Sequence, residues 1–174
     1  MPIEICTVSG FNEVGKNMTA INVDGDVVIC DMGLHMENYI KFTEDQEIEN
    51  ISSDDLLKVN AIPNMGPISD WKDKVKAIIP SHAHLDHIGA IPFLANEFHA
   101  PILCTPFTAM VLQSMIRDRR TPFRNQIKPC AVNSTYHLSK NITIEFVGIT
   151  HSTPHTALIC IHTKYGTVIY ANDF

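Results

Sequence analysis

The sequence predicts an α/β domain, with a β-sheet layer and helices on its outside. Three observations predict it. β-rich hairpin segments open the chain, a strand–helix–strand–helix run fills the middle, and hairpin segments return near the end. No G-x-G-x-x-G and no phosphate-loop lysine motif occurs, so a doubly wound dinucleotide fold does not fit. At 174 residues, 45% hydrophobic and 18% charged, the chain suits one domain with a buried core.

The elements follow in order. Residues 3–8 alternate as a strand, and residues 10–17 form a loop containing Gly10 and Gly15. Strands at 18–23 and 27–30 flank Asp24-Gly25-Asp26, a hairpin turn signal. Residues 32–50 read as irregular. Ser52-Ser53-Asp54-Asp55 offers N-cap chemistry for a short helix through Val59. Residues 75–79 are a β-rich apolar run closed by Pro80, residues 88–98 read as a helix, and residues 101–104 as a short buried strand. Thr105-Pro106 places a cap and a proline at the start of a helix that runs to about Arg119. Strands return at 142–146, 157–162 and 167–171, the last two flanking the hairpin loop 163–166.

Composition limits function. A net charge of −6 speaks against a broadly basic nucleic-acid binder. The average hides an asymmetry: Arg117, Arg119, Arg120, Arg124 and Lys128 sit close together, while residues 37–55 are acidic. The basic group reads either as phosphate contacts or as a solvated helix end and loop. No apolar run approaches the ~20 residues of a membrane span, and no secretory leader pattern opens the chain, so no membrane partner is expected. Five scattered cysteines, at 6, 30, 104, 130 and 160, argue for reduced core thiols and a cytoplasmic setting.

The sharpest signal is Ser81-His82-Ala83-His84-Leu85-Asp86-His87, directly after the apolar run. Imidazole nitrogens and a carboxylate suit zinc and similar divalent cations. In an extended segment His82 and His84 point to one side, and Asp86 and His87 follow where the chain turns into a helix. One segment can therefore serve two neighbouring ions. The alternative is a solvated histidine-rich loop.

His-x-His-x-Asp-His after an apolar strand resembles the signature of the metallo-β-lactamase superfamily. Asp31, ending an early strand, resembles its first motif. His151, in Thr150-His151-Ser152, resembles the third, and Asp173, in Ala171-Asn172-Asp173-Phe174, the fourth. The stretch Gly10-Phe11-Asn12-Glu13-Val14-Gly15-Lys16-Asn17-Met18 is similar to the opening of ribonuclease J proteins, especially archaeal ones, within the β-CASP group. The resemblance implies an αββα sandwich and two divalent ions, most often zinc. It implies His82, His84 and His151 on one ion, Asp86 and His87 on the other, and Asp173 bridging. Asp31 would fix the histidine loop, Asp86 would orient the nucleophile, and water activated by the ions would attack phosphorus in RNA, from a 5′ end or internally.

The same resemblance implies that the chain is the N-terminal half of a catalytic domain, without a β-CASP domain and without the returning segment that supplies a last histidine. The second ion site is then expected to be incomplete, the chain inactive alone, and uncovered apolar surface to favour a homo-oligomer. Two other functions are weighed: a hydrolase of a small thioester or lactone, against which the opening motif speaks, and a non-catalytic RNA- or partner-binding module. Ser152, Thr156 and His155 are candidate substrate contacts. Lys16 reads either as a phosphate contact or as a solvated loop lysine, Trp71 as packing, and His35, His99, His137 and His162 as surface or structural histidines.

Overall fold

A computed structural model describes residues 2–44, 51–117 and 122–174. Strands β1 (Ile3–Ser9), β2 (Met18–Val23), β3 (Asp26–Cys30), β4 (Val75–Ile79), β5 (Ile102–Cys104) and β6 (Ile127–Pro129) form one sheet in that order. β1 pairs with β2 and β2 with β3 antiparallel, and β3 through β6 run parallel. Strands β7 (Ser134–His137), β8 (Thr143–Gly148), β9 (Ala157–Thr163) and β10 (Gly166–Tyr170) form an antiparallel second sheet, ordered β10-β9-β8-β7.

Alternation explains why the first sheet is apolar on both faces. Met18, Ala20, Val27, Ile29, Ile78, Ile102 and Cys104 point into a core shared with the helices. Their neighbours Ile21, Val23, Val28, Cys30, Ala77, Ile79 and Leu103 point into a second core against Ile144, Phe146, Ile159 and Ile161 of the second sheet. Successive residues feed opposite cores, so these strands read as continuous apolar runs. The architecture is helices on a mixed sheet, packed face to face on an antiparallel sheet.

The 24–25 turn behaves as its sequence predicts: Asp24 and Gly25 both take positive φ, which suits a two-residue hairpin. Three expectations change. Residues 32–50 were expected to be irregular, but helix α1 (Met36–Thr43) forms there, and residues 45–50 lie outside the described residues. His35 is its N-cap, its Nδ1 accepting from Asn38 N–H, and Met36, Tyr39 and Phe42 lie against the core. Helix α2 (Ser53–Lys58) is capped by Ser52 as expected.

The helix expected at 88–98 is broken into α3 (Leu85–Ile88), α4 (Ile91–Leu94) and a single 3-10 turn at Ala95–Glu97. Pro92 has no N–H to continue the ladder. Ala90 N–H leaves it as well and donates to the Met32 carbonyl at 2.9 Å. Helix α5 (Pro106–Arg117) starts where Thr105-Pro106 places it, and residues 118–121 lie outside the described residues. Strands β6 and β7 and a 3-10 segment at Gly66–Lys74 were not expected.

All five cysteines are free thiols, with Cys30, Cys104, Cys130 and Cys160 buried. Among the described residues no helix is long and apolar enough to cross a membrane.

Candidate metal centre

Strand direction brings the candidate residues together. β3 and β4 are parallel neighbours with Cys30 beside Ile79, so Asp31 and the segment after Pro80 leave the sheet at one end. Asp31 N–H donates to the Ile79 carbonyl at 3.2 Å. In the second sheet β8 and β10 both run antiparallel to β9, so the loop carrying His151 and the residues after Tyr170 also emerge together. Ala157 N–H donates to the Ser81 carbonyl at 3.1 Å, tying the two sheets at this point.

Four imidazoles and two carboxylates converge. His82 Nε2 lies 2.9 Å from His84 Nδ1, which lies 3.3 Å from His151 Nε2. Asp173 Oδ2 is 3.9 Å from His82 Nε2 and 3.8 Å from His151 Nε2. The same Oδ2 is 3.4 Å from His87 Nε2, which is 3.5 Å from Asp86 Oδ2. Two ligand groups result: His82, His84, His151 and Asp173, and Asp86, His87 and Asp173, with Asp173 common to both. A tetrahedral zinc with ligands at ~2.0–2.1 Å needs ligand atoms roughly 3.3 Å apart. The first group spans 2.9–3.9 Å across the pairs measured above, so its donors fit such an ion in chemistry and spacing.

Asp31 organises the centre from beneath. It is fully buried with φ of 60°, a left-handed backbone that an aspartate adopts at a cost of about 1 kcal/mol. Its Oδ1 accepts Ser81 N–H at 2.7 Å, and Ser81 O–H reaches both carboxylate oxygens at 2.9 Å. Oδ2 accepts His87 Nδ1–H at 2.7 Å and Tyr170 O–H at 2.9 Å. Asn17 reaches across from the β1–β2 loop, its side-chain amide 3.1 Å from the Asp86 carbonyl and from His87 Nε2. The Asn172 amide lies 3.0 Å from His82 Nδ1.

The electrostatics split the histidines. Burial, joined by the neighbouring His87, pulls His82 down to about 4, so it is neutral at physiological pH. Burial also pulls at His87, but hydrogen bonds to Asp31 and Asp86 outweigh it and hold that imidazole up to about 10. The hydrogen bond from His87 keeps the Asp86 carboxyl below its usual range.

The remaining predicted contacts separate. Ser152 Oγ lies 3.1 Å from His84 Nε2, at the exposed side of the cluster. Thr156 is buried, and its hydroxyl donates to the Thr153 carbonyl at 2.8 Å. His155, with φ of 60°, lines a neighbouring depression with Asn133 and Ile149. Lys16 is not a solvated lysine: it is buried, with Nζ 2.6 Å from Asn60 Oδ1 and 3.0 Å from Glu13. His162 pairs with Glu145 at 2.7 Å on the second sheet. Tyr170 and Asn17 were not singled out by sequence reasoning. Both act through hydrogen bonds to other strands or loops, and nothing in their local sequence marks that.

Comparison with known proteins follows the same lines. The family model described as metallo-beta-lactamase superfamily matches residues 13–174. Ribonuclease J of Methanocaldococcus jannaschii is 41% identical over 175 residues, covering 100% of this chain and 39% of that protein. Ribonuclease J of Pyrococcus abyssi is 42% identical, covering 99% of this chain and 38% of that protein. The chain thus spans about two fifths of the length of these curated relatives. Among solved structures, a metallo-beta-lactamase of Cronobacter sakazakii superposes with a TM-score of 0.62 at 15% identity, over 90% of this chain and 52% of that one. A protein of unknown function from Enterococcus faecalis superposes with a TM-score of 0.64 at 18% identity, over 97% of this chain and 43% of that one. These two likenesses concern the fold.

Proposed function

From a chain that belongs to the metallo-beta-lactamase superfamily, we propose the N-terminal part of a metal-dependent ribonuclease that cleaves RNA phosphodiester bonds, progressively from a 5′ end, internally, or both. The observation that carries the reading is the shared Asp173 Oδ2, within 3.9 Å of His82 and 3.4 Å of His87. Whole-chain identity of 41–42% to archaeal ribonuclease J proteins supports RNA as the substrate class.

In this reading His82, His84 and His151 would hold one divalent ion and Asp86 and His87 the other, with Asp173 available to both. Nitrogen and carboxylate donors favour zinc. When bound, such ions would supply a lowered pKa for water and Lewis-acid polarisation of a phosphoryl oxygen. The chain's own groups do the rest. Asp31 holds His87 by its Nδ1–H, leaving Nε2 to face Asp86 and Asp173. Asp86, kept ionised by His87, presents Oδ2 to orient and deprotonate water. Ser152, beside His84 on the exposed side, donates its hydroxyl to a phosphate oxygen. Thr156 braces the loop that carries His151.

The test uses a longer protein that contains this chain as its N-terminal part, loaded with zinc, and a 5′-monophosphorylated RNA. Cleavage is expected, lost on chelation and in His84→Ala. Thioester hydrolysis with the RNA left intact would refute it, and so would protein that takes up no metal.

A further inference from the structure

We infer that Tyr170 is a positioning residue for one ligand group only: through Asp31 it aims His87 at Asp86 and Asp173, and leaves the three-histidine group to stand by itself. The inference rests on the metal reading above and deepens it.

A carboxylate offers about four lone-pair positions. Asp31 meets four donors: Ser81 N–H, Ser81 O–H, His87 Nδ1–H and Tyr170 O–H. Rotation of the carboxylate therefore breaks at least one hydrogen bond in a site without water access, since Asp31 is fully buried. Tyr170 and His87 share one oxygen, Oδ2, at 2.9 and 2.7 Å. Without the phenol O–H, Oδ2 is held by His87 and the Ser81 hydroxyl alone, and the carboxylate gains a path to turn.

His87 feels that turn directly. With Nδ1–H fixed on Asp31, its other nitrogen faces Asp86 Oδ2 at 3.5 Å and Asp173 Oδ2 at 3.4 Å. Asp31 reaches the three-histidine group only indirectly, through Ser81 Oγ and His82, while His84 also lies 3.3 Å from His151 and 3.1 Å from Ser152. His82 meets Ser81 Oγ, whose bonds to Asp31 persist without Tyr170. Tyr170 also packs in the core between the sheets, and phenylalanine keeps that ring. Tyr170→Phe thus removes one hydrogen bond and little else.

The experiment is a zinc titration of wild type and Tyr170→Phe against a competing chelator, with imidazole nitrogen NMR of His87 in both. Groups that orient ligands usually matter tenfold or more to metal affinity. The second equivalent is expected to weaken at least tenfold while the first is unchanged, and the His87 Nδ1–H is expected to exchange faster with solvent. Equal weakening of both equivalents, or two unchanged equivalents, would overturn the inference; so would an unaltered Nδ1–H signal. Wild type that takes up no zinc would instead refute the metal reading, and the NMR comparison would still judge Tyr170.

Discussion

Gly33→Ala tests how the backbone builds the centre. A Cβ at Gly33 would stand 1.5 Å from the Asp86 carbonyl oxygen and 2.1 Å from its carbon, where ordinary contact begins at 3.4 Å. The obstacle is backbone, so no rotamer relieves it, and the two segments must part by roughly 2 Å. Four main-chain hydrogen bonds cross this junction: Met32 N–H to His87 O at 2.7 Å, Leu34 N–H to Leu85 O at 2.9 Å, Gly33 N–H to Asn17 O at 3.1 Å, and Asn17 N–H to Asp86 O at 3.1 Å. At about 1 kcal/mol each, their loss costs about 4 kcal/mol, a large part of the 5–15 kcal/mol typical of a domain. A shift of this size equals a metal–ligand bond length, so Asp86 and His87 leave the reach of an ion held with Asp173. In urea unfolding at a slope of about 2 kcal/mol/M, the midpoint is expected to fall by about 2 M, with loss of the second zinc equivalent. A variant with the wild-type midpoint and both equivalents intact would refute the reasoning.

Three further outcomes are expected. Metal-free protein is most stable near pH 6.5: His87, raised to about 10, gives stability that is full below its unfolded value and is lost as pH climbs toward 10, while His82, lowered to about 4, gives stability that is lost as pH falls from 6.5 toward 4. From pH 6.5 to 8.5 the His87 contribution shrinks by about 2 kcal/mol, a drop of roughly 4–8 °C in melting temperature by calorimetry, and a flat profile would contradict it. Asp31→Asn leaves the buried His87 without its carboxylate; a loss of about 3–5 kcal/mol and a flattened alkaline limb are expected in the same scan. Phe146→Ala, in the core between the sheets, costs about 3–5 kcal/mol in urea unfolding yet leaves the order of the two zinc affinities unchanged.

How much of this was legible depends on where the physical signal resides. The buried strands could be read because both faces of the first sheet are covered, so their apolar runs are unbroken. β6 and β7 could not: they have only three and four residues, β6 is interrupted by Lys128 and ends in a proline, and β7 carries Ser134, Thr135 and His137. Helix α1 escaped because its cap is an imidazole rather than the usual hydroxyl or carboxylate. The helix at 88–98 was overread, since its apolar spacing persists across a break that Pro92 and the Met32 carbonyl impose. In the centre, His82 to His87 are contiguous and announce themselves by type and spacing. Asp31, His151 and Asp173 are brought in by strand direction from positions 50 residues or more away, and only family resemblance marked them. Lys16 shows the converse: a lysine in a glycine-containing loop looks available to a phosphate, but the fold buries it against Glu13 and Asn60.

Tyr170 is the instructive omission. A tyrosine in an alternating strand is what the sheet would ask for anyway, and its ring does pack between the sheets. Its hydroxyl matters only because β10 sets it beside the end of β3, where a left-handed turn at Asp31 points a carboxylate inward. Neither half is visible without the other. The ligands of such a centre are chosen by chemistry and leave a mark in the sequence. The groups that aim them are chosen by geometry across strands, and that geometry exists only once both sheets have formed.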